Sequence, residues 1–195
     1  MPFGAVEFAG QNGEHERITR IALSGAGSGK ETLDVLAGKR VWLGAVGAPD
    51  SPERGLMDKA YAHCDGADHL PVKGYPQTAK KAYSQLLKCR KFAFQLLAKA
   101  IESSGHLADQ NDRVNTREIA SFVPCAFNGK SGRAKCEVLD ALGIAFHASQ
   151  DFYSHSDWVD IPAKGEMGPI THPDWETPDV PHGCTRVKVS APWPV

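Results

Sequence analysis

The chain has 195 residues, of which 42% are hydrophobic and 23% charged, a composition that is typical of a folded globular protein and excludes an intrinsically disordered one. The formal net charge of −1 offers no electrostatic basis for specific binding to duplex nucleic acid. No apolar run approaches the roughly 20 residues that span a bilayer. Residues 1–13 lack the basic start and apolar stretch of a signal peptide.

The hydrophobic pattern predicts helices joined by glycine-rich and proline-rich loops. In chain order the predicted helices are residues 14–23, 30–36, 51–62, 78–103, 115–122 and 136–152, with a short apolar run at 41–47 that leads into a turn. The clearest helix is 78–103, and its apolar side chains predict a broad buried face: Ala82, Leu86, Leu87, Phe92, Phe94, Leu96, Leu97 and Ile101. The basic residues between Lys80 and Lys91 are interpreted as its solvated face.

These elements predict an all-α fold, built as a single-domain helical bundle with long irregular loops. We expect one helical metal-binding domain over residues 1–195, with a core at about 10–160 and an irregular, proline-rich tail at 161–195. No internal repeat divides the chain.

The five cysteines do not form a CxxC motif, which argues against a thiolate zinc knuckle. Cys125 and Cys136 bracket a glycine-containing loop, as in a short disulfide loop, and a Cys64–Cys89 bond would tie the start of one helix to the next segment. We expect these two disulfides, with Cys184 left over, and hence an oxidising, secreted setting. Five reduced thiols in a cytosolic protein are the alternative, because pairing cannot be read from a sequence.

The strongest local pattern is HASQDFYSH, which runs from His147 to His155 at the end of the second long helix. Residues i and i+4 of a helix share a face, so His147 and Asp151 can bind one ion or two adjacent ions, with His155 two turns beyond His147. A metal ion is one way to satisfy polar groups on a buried face. The alternative is a helix C-terminus at which the histidines interact with the dipole and Asp151 is solvated.

Further candidate ligands lie on both sides of this motif. Upstream, His15 opens the first helix, Asp50 follows a Gly-Ala-Pro turn, and His63 comes 13 residues later. Each of these is ordinary by itself. Downstream, His172 and Glu176 are four residues apart, but nearby prolines argue against a shared helical face, and a solvated loop is an equal alternative.

The segment LDALGIAFHASQDFYSHSDW, from Leu139 to Trp158, resembles the signature of the fungal Het-C heterokaryon-incompatibility family and its bacterial relatives. The upstream blocks GEHERITR at 13–20 and AVGAPD at 45–50 are similar to blocks of that family. The order of His and Asp residues is also similar to that of the zinc-dependent phospholipase C and P1 nuclease superfamily. The resemblance implies two or three zinc ions, held by the following residues: His15, Asp50, His63, His147, Asp151, His155, His172 and Glu176.

The chain departs from the superfamily pattern at two points. The superfamily completes its cluster with an N-terminal Trp, whereas no Trp precedes Trp42 here. The interval from Asp151 to His155 is also shorter than in those enzymes.

The resemblance implies a helical bundle of the phospholipase C and P1 nuclease type that acts as a zinc-dependent phosphoric ester hydrolase. A metal-activated hydroxide would attack a small-molecule or lipid phosphoester, and Asp50 would contact that nucleophile. Imidazole and carboxylate ligands suit zinc better than magnesium. Two alternatives stay open: a non-catalytic, metal-stabilised Het-C-like interaction or incompatibility module, and a metal-dependent biosynthetic tailoring enzyme. A closed metal site would favour the first, and a deep apolar pocket over the metal would favour the second.

Overall fold

Two long helices form the frame of the protein in a computed structural model that describes residues 13–39, 42–69, 73–120 and 124–155. Helix α3 spans Ala79–Ser104 and helix α5 spans Ala134–His155. The pair is antiparallel, because Ser103 near the end of α3 donates to Glu137 near the start of α5, whereas Cys89 contacts Ala148. Small residues on α3, such as Ala82 and Ala100, let the two helices approach closely.

Shorter elements pack around this pair. Helix α1 is Glu14–Gly25, α2 is Lys30–Leu36 and α4 is Thr116–Ile119. Strands β1, Gly38–Lys39, and β2, Trp42–Leu43, pair antiparallel with Gly38 opposite Leu43 and Lys39 opposite Trp42. Three short 3-10 segments complete the described elements: Ala45–Asp50, Pro52–Arg54 and Gly105–Leu107.

The hydrophobic core has two centres that both include α5. In the first, Leu36 of α2, Ala45 and Leu139 of α5 are buried together, with Leu142 and Phe146 against them. The second consists of Cys64, Cys89 and Ala148, with Phe152 packed on it. Helix α5 therefore belongs to both centres, and together they fix the positions of the residues on its inner face.

The predicted all-α class is confirmed, with one two-stranded hairpin as the exception. The predicted helices 14–23, 30–36, 78–103 and 136–152 agree with α1, α2, α3 and α5 within three residues at each end. Thr78 caps α3, where its hydroxyl accepts from the Lys81 amide at 3.3 Å. The predicted helix 115–122 is the single turn α4, and residues 121–123 lie outside the described part of the chain.

Two expectations about helices are wrong. Residues 51–62 form only the 3-10 turn Pro52–Arg54 and then irregular turns, because Gly55 adopts a left-handed φ of 66° that ends the helical turn. The broad buried face of α3 is also narrower than predicted, and four of its residues are exposed: Leu87, Phe94, Leu97 and Ile101. One neighbouring helix covers only one stripe of α3, so apolar residues beyond that stripe remain in contact with solvent.

The expected irregular tail at 161–195 falls outside the described residues, as does Cys184. Across the described ranges, no helix combines the length and apolar character needed to cross a membrane.

Helix α5 makes its closest approach to the segment Ala45–Asp50 at Gly143. A Cβ atom built there would overlap Ala45 and come within 2.7 Å of the Val46 amide nitrogen. Alanine normally stabilises a helix interior relative to glycine. At this position the overlap dominates, since backbone atoms cannot move aside as a flexible side chain would.

We therefore predict that Gly143→Ala lowers the free energy of unfolding by about 1–3 kcal/mol, measured by urea denaturation. The matched control is Gly105→Ala, because Gly105 has a right-handed φ of −59° and no atom within 4 Å of a built Cβ. The control should be neutral or slightly stabilising. Equal destabilisation by both substitutions would contradict the close-approach argument.

Candidate metal centre

Five side chains from four separate parts of the chain converge beside the inner face of α5. His15 comes from α1, Asp50 ends the 3-10 segment Ala45–Asp50, His63 lies in the following loop, and His147 with Asp151 come from α5. His15 and His147 are fully buried, and Asp151 and His63 are 2% and 6% exposed. The Asp50 carboxylate is 33% exposed and forms the solvent side of the cluster.

Local structure explains how each segment reaches the cluster. His147 and Asp151 are one helical turn apart, so both project from the same face of α5. The close approach at Gly143 brings the segment that carries Asp50 against this face. His63 precedes Cys64, a buried non-glycine residue with a positive φ of 53°. Such a backbone conformation is costly and persists only where the surroundings impose it.

One oxygen of Asp151 forms a tight triangle with two imidazole nitrogens. Asp151 Oδ2 lies 2.8 Å from His147 Nε2 and 2.9 Å from His63 Nδ1. The two nitrogens are 2.9 Å from each other. Asp50 Oδ1 lies 3.7 Å from His147 Nε2 and 3.9 Å from His63 Nδ1, so it is a fourth possible ligand atom near the same two nitrogens.

The other oxygen of Asp151 faces a second pair of histidines. Asp151 Oδ1 lies 3.2 Å from His15 Nε2 and 3.8 Å from His155 Nε2. His155 donates its Nδ1 proton to Asp65 Oδ1 at 2.7 Å, which turns Nε2 toward Asp151. The Nε2 atom of His155 is buried and has no hydrogen-bond partner in the described part of the chain.

Two hydrogen bonds determine which ring nitrogens point inward. His147 donates from Nδ1 to the Val46 carbonyl at 2.9 Å, and His15 donates from Nδ1 to Gln150 Oε1 at 2.7 Å. Gln150 is itself oriented, because its amide nitrogen donates to Thr19 Oγ1 at 2.9 Å. A histidine that donates through one nitrogen presents a lone pair at the other. The Nε2 lone pairs of His147 and His15 are therefore directed at Asp151.

The cluster concentrates negative potential in a buried space. Burial opposes ionisation of Asp151, but hydrogen bonds from His147, His15 and His63 outweigh it and hold the pKa of this carboxyl far below its usual value. Burial also lowers the pKa of His15 and of His63, yet the hydrogen bond and charge of Asp151 raise each of these pKa values above normal. Asp151 thus stays ionised, and a divalent cation could take the place of the protons that His15 and His63 share with it.

The donor set fits a divalent metal ion of the zinc type. When the histidines carry their protons on the distal ring nitrogens, His147 Nε2, His63 Nδ1 and Asp151 Oδ2 are three acceptors within 2.9 Å of one another, an arrangement that a shared cation would satisfy. The two triads whose ligand atoms lie within 4.8 Å of one another are His15, His147, Asp151 and Asp50, His63, His147. Imidazole with carboxylate suits zinc, and hydrogen bonds from the distal ring nitrogens are the usual support of such ligands.

The structure thus brings together five of the eight ligands expected from the sequence: His15, Asp50, His63, His147 and Asp151. His155 borders the cluster but belongs to neither triad. His172 and Glu176 lie outside the described residues.

Three supporting groups were not foreseen from the sequence: Gln150, Thr19 and the Val46 carbonyl. A helical wheel offers a signal for two of them, because Gln150 is three residues after His147 and Thr19 is four after His15. Nothing in the sequence marks a backbone carbonyl as a histidine partner.

Both expected cysteine pairs lie at disulfide-bonding distance. The Cα atoms of Cys64 and Cys89 are 5.2 Å apart, and those of Cys125 and Cys136 are 5.3 Å apart. The first pair has a direct relation to the metal centre, because Cys64 lies between His63 and Asp65. A bond to α3 at this point holds the loop that carries both residues.

Comparison of the chain with protein-family models, with curated proteins and with solved structures finds no match. Function is therefore inferred from the chemistry of the site.

We predict that Gln150→Leu weakens zinc binding about 10–100-fold, because His15 loses the acceptor that orients its ring. The change is measured by calorimetric titration of zinc into chelator-treated protein, with circular dichroism to verify the fold. Ser149→Ala is the matched control, since Ser149 is exposed and donates only to the Ala145 carbonyl of its own helix. Unchanged affinity in Gln150→Leu would contradict the orienting role.

We also predict that the two disulfides differ in their effect on zinc affinity. Replacing both Cys64 and Cys89 by Ala should lower affinity about tenfold or more, because the His63 loop loses its anchor. The Cys125→Ala, Cys136→Ala double variant should lower stability by about 2–4 kcal/mol but bind zinc normally when folded. Titration of both variants below their melting temperatures makes the comparison, and equal affinities would refute the anchoring role.

Proposed function

We propose that this protein is a zinc-dependent hydrolase in which Asp151 and the histidines around it would hold two metal ions. The observation that carries the proposal is the convergence of three buried acceptor atoms, His147 Nε2, His63 Nδ1 and Asp151 Oδ2, beneath a partly exposed Asp50 carboxylate. A catalytic zinc site keeps one position open to solvent, whereas a structural site is closed. Asp50, with 33% of its side chain exposed, is the most exposed of the five converging side chains, so we expect an open position beside it.

The two oxygens of Asp151 divide the ligands between the two positions. On the Oδ2 side, His147, His63 and Asp50 would hold one ion. On the Oδ1 side, His15 and His155 would hold the second. Each imidazole nitrogen has one lone pair and serves one ion, whereas a carboxylate can serve two.

A bound zinc ion would lower the pKa of water to about 7, supplying hydroxide at neutral pH and neutralising charge on an attacked phosphate. The chain's own groups do the positioning. Asp50 faces solvent and can accept a hydrogen bond from the attacking water, which aligns it toward the substrate. The Val46 carbonyl and Gln150 keep the two histidine rings from rotating during turnover.

We propose a phosphoester as the substrate and a bundle of the phospholipase C and P1 nuclease type as the fold. Support comes from the order of His and Asp residues along the chain and from the nitrogen-rich ligand set, which favours zinc over magnesium. The two cysteine pairs support an oxidising, extracellular setting.

A second function is favoured by the depth of the cluster. Four of the five converging side chains are at most 6% exposed, a burial that suits ions whose role is to hold α1, the His63 loop and α5 together. In this case the protein is a metal-stabilised interaction module of the Het-C type without catalysis.

We predict about two zinc ions per chain by inductively coupled plasma mass spectrometry and hydrolysis of the phosphodiester bis(p-nitrophenyl) phosphate. His147→Ala should lose the ion on the Oδ2 side, about half of the metal, because His147 Nε2 is a ligand atom of that position. Asp50→Asn should retain the metal on the Oδ1 side but hydrolyse the ester about 10²-fold more slowly or worse. Asp58→Asn is the control, as this exposed carboxylate pairs with Lys59 on the surface.

The outcomes separate the two functions. Stoichiometric zinc with no turnover, together with unfolding when a chelator removes the metal, would establish the structural module. Protein that stays fully folded and binds no zinc would refute both functions.

A further inference from the structure

Helix α3 carries a continuous apolar stripe that stays exposed on the described fold. We define the α3 stripe as Tyr83, Leu87, Phe94, Leu97 and Ile101, which are 54%, 41%, 58%, 38% and 73% exposed. With Arg90, these positions follow a regular 4-3-4-3-4 spacing, so they form one line along the helix. From residue 83 to residue 101 the line is about 27 Å long.

The stripe is distinct from the face of α3 that packs on α5. The buried residues Ala82 and Ala100 precede the stripe residues Tyr83 and Ile101 by one position, and buried Cys89 precedes Arg90, which lies on the same line. Successive helical residues are rotated by about 100°, so the stripe lies to one side of the packed face. Single exposed apolar side chains are common on protein surfaces, whereas a line of several neighbouring ones indicates an interaction surface.

The charges on α3 are strongly one-sided. The helix has six basic residues and one acidic residue, although the whole chain has a net charge of −1. The basic residues are Lys80, Lys81, Lys88, Arg90, Lys91 and Lys99, and the acidic one is Glu102. Arg90 lies over the Phe94 ring, 5.3 Å from its centroid. The surface beside the stripe therefore attracts an anionic partner.

We propose that the α3 stripe docks the protein on an anionic lipid surface. An apolar line that includes aromatic residues, bordered by lysines and lying on one long helix, is the pattern of helices that lie in the plane of a membrane interface. Lysine side chains bury their carbon stems at such an interface while their ammonium groups reach the headgroups. This inference does not depend on the metal centre.

Charge favours lipid over a second copy of the chain as the occupant. Two copies of α3 paired through their stripes would bring one lysine-rich helix against another, and Glu102 is the one acidic residue on that helix. A membrane containing acidic phospholipid offers negative charge together with an apolar layer.

The experiment measures cosedimentation of the whole chain with phosphatidylcholine vesicles that contain or lack phosphatidylserine. We expect binding to the phosphatidylserine vesicles, weakened by added salt, and little binding to the neutral ones. Ile101→Glu should weaken the partitioning about tenfold or more, because a carboxylate then replaces an inserted side chain. Ile21→Glu is the matched control, since Ile21 on α1 is 75% exposed, nearly as much as Ile101.

Retained binding by Ile21→Glu together with loss in Ile101→Glu supports the docking surface. Equal loss in both variants, or no preference for phosphatidylserine, overturns it. Sedimentation equilibrium adds a further readout: a dimer that Ile101→Glu dissociates would make the stripe an interface between copies and would also overturn the proposal. Zinc content is measured on the same samples, so that a damaged metal centre is recognised separately.

Discussion

The ionised carboxylate of Asp151, buried among imidazoles, is the interaction on which the rest of this structure depends. A buried charge is costly unless it is paired and hydrogen-bonded, and Asp151 is 2% exposed. His147 and His63 compensate it at one oxygen, and His15 at the other. Because these partners come from α5, the His63 loop and α1, stabilising one carboxylate requires three parts of the chain to meet.

The elements around Asp151 hold these three parts of the chain together. Helix α5 supplies two of the five converging groups, and its Gly143 admits the backbone of the segment that ends at Asp50. The pair Cys64–Cys89 holds the His63 loop against α3. Hydrogen bonds from the distal ring nitrogens of His147 and His15 then orient the rings. Much of the described fold thus acts as a support for one small polar cluster.

The buried cluster and the α3 stripe depend on different physical interactions. The cluster is a concentrated buried charge whose most exposed side chain is Asp50, and metal coordination is the chemistry that we propose for it. The α3 stripe is an exposed apolar line beside a row of lysines, and we propose that it binds at the interface of a lipid membrane. If both proposals hold, the protein brings a hydrolytic centre to a membrane, and each property can be tested without the other.

Local features could be read from the residue pattern alone. Periodicity located α1, α2, α3 and α5, because a helix repeats its environment every 3.6 residues, and the interval between His147 and Asp151 placed both on one face. Features that depend on contacts between distant segments became visible in the folded chain. It showed that Phe94 and Ile101 are exposed, that residues 51–62 are not a helix, and that the Val46 carbonyl and Gln150 orient two rings. A local sequence pattern reflects the conformation that a residue prefers, whereas the packing of the whole chain determines which residues contact it.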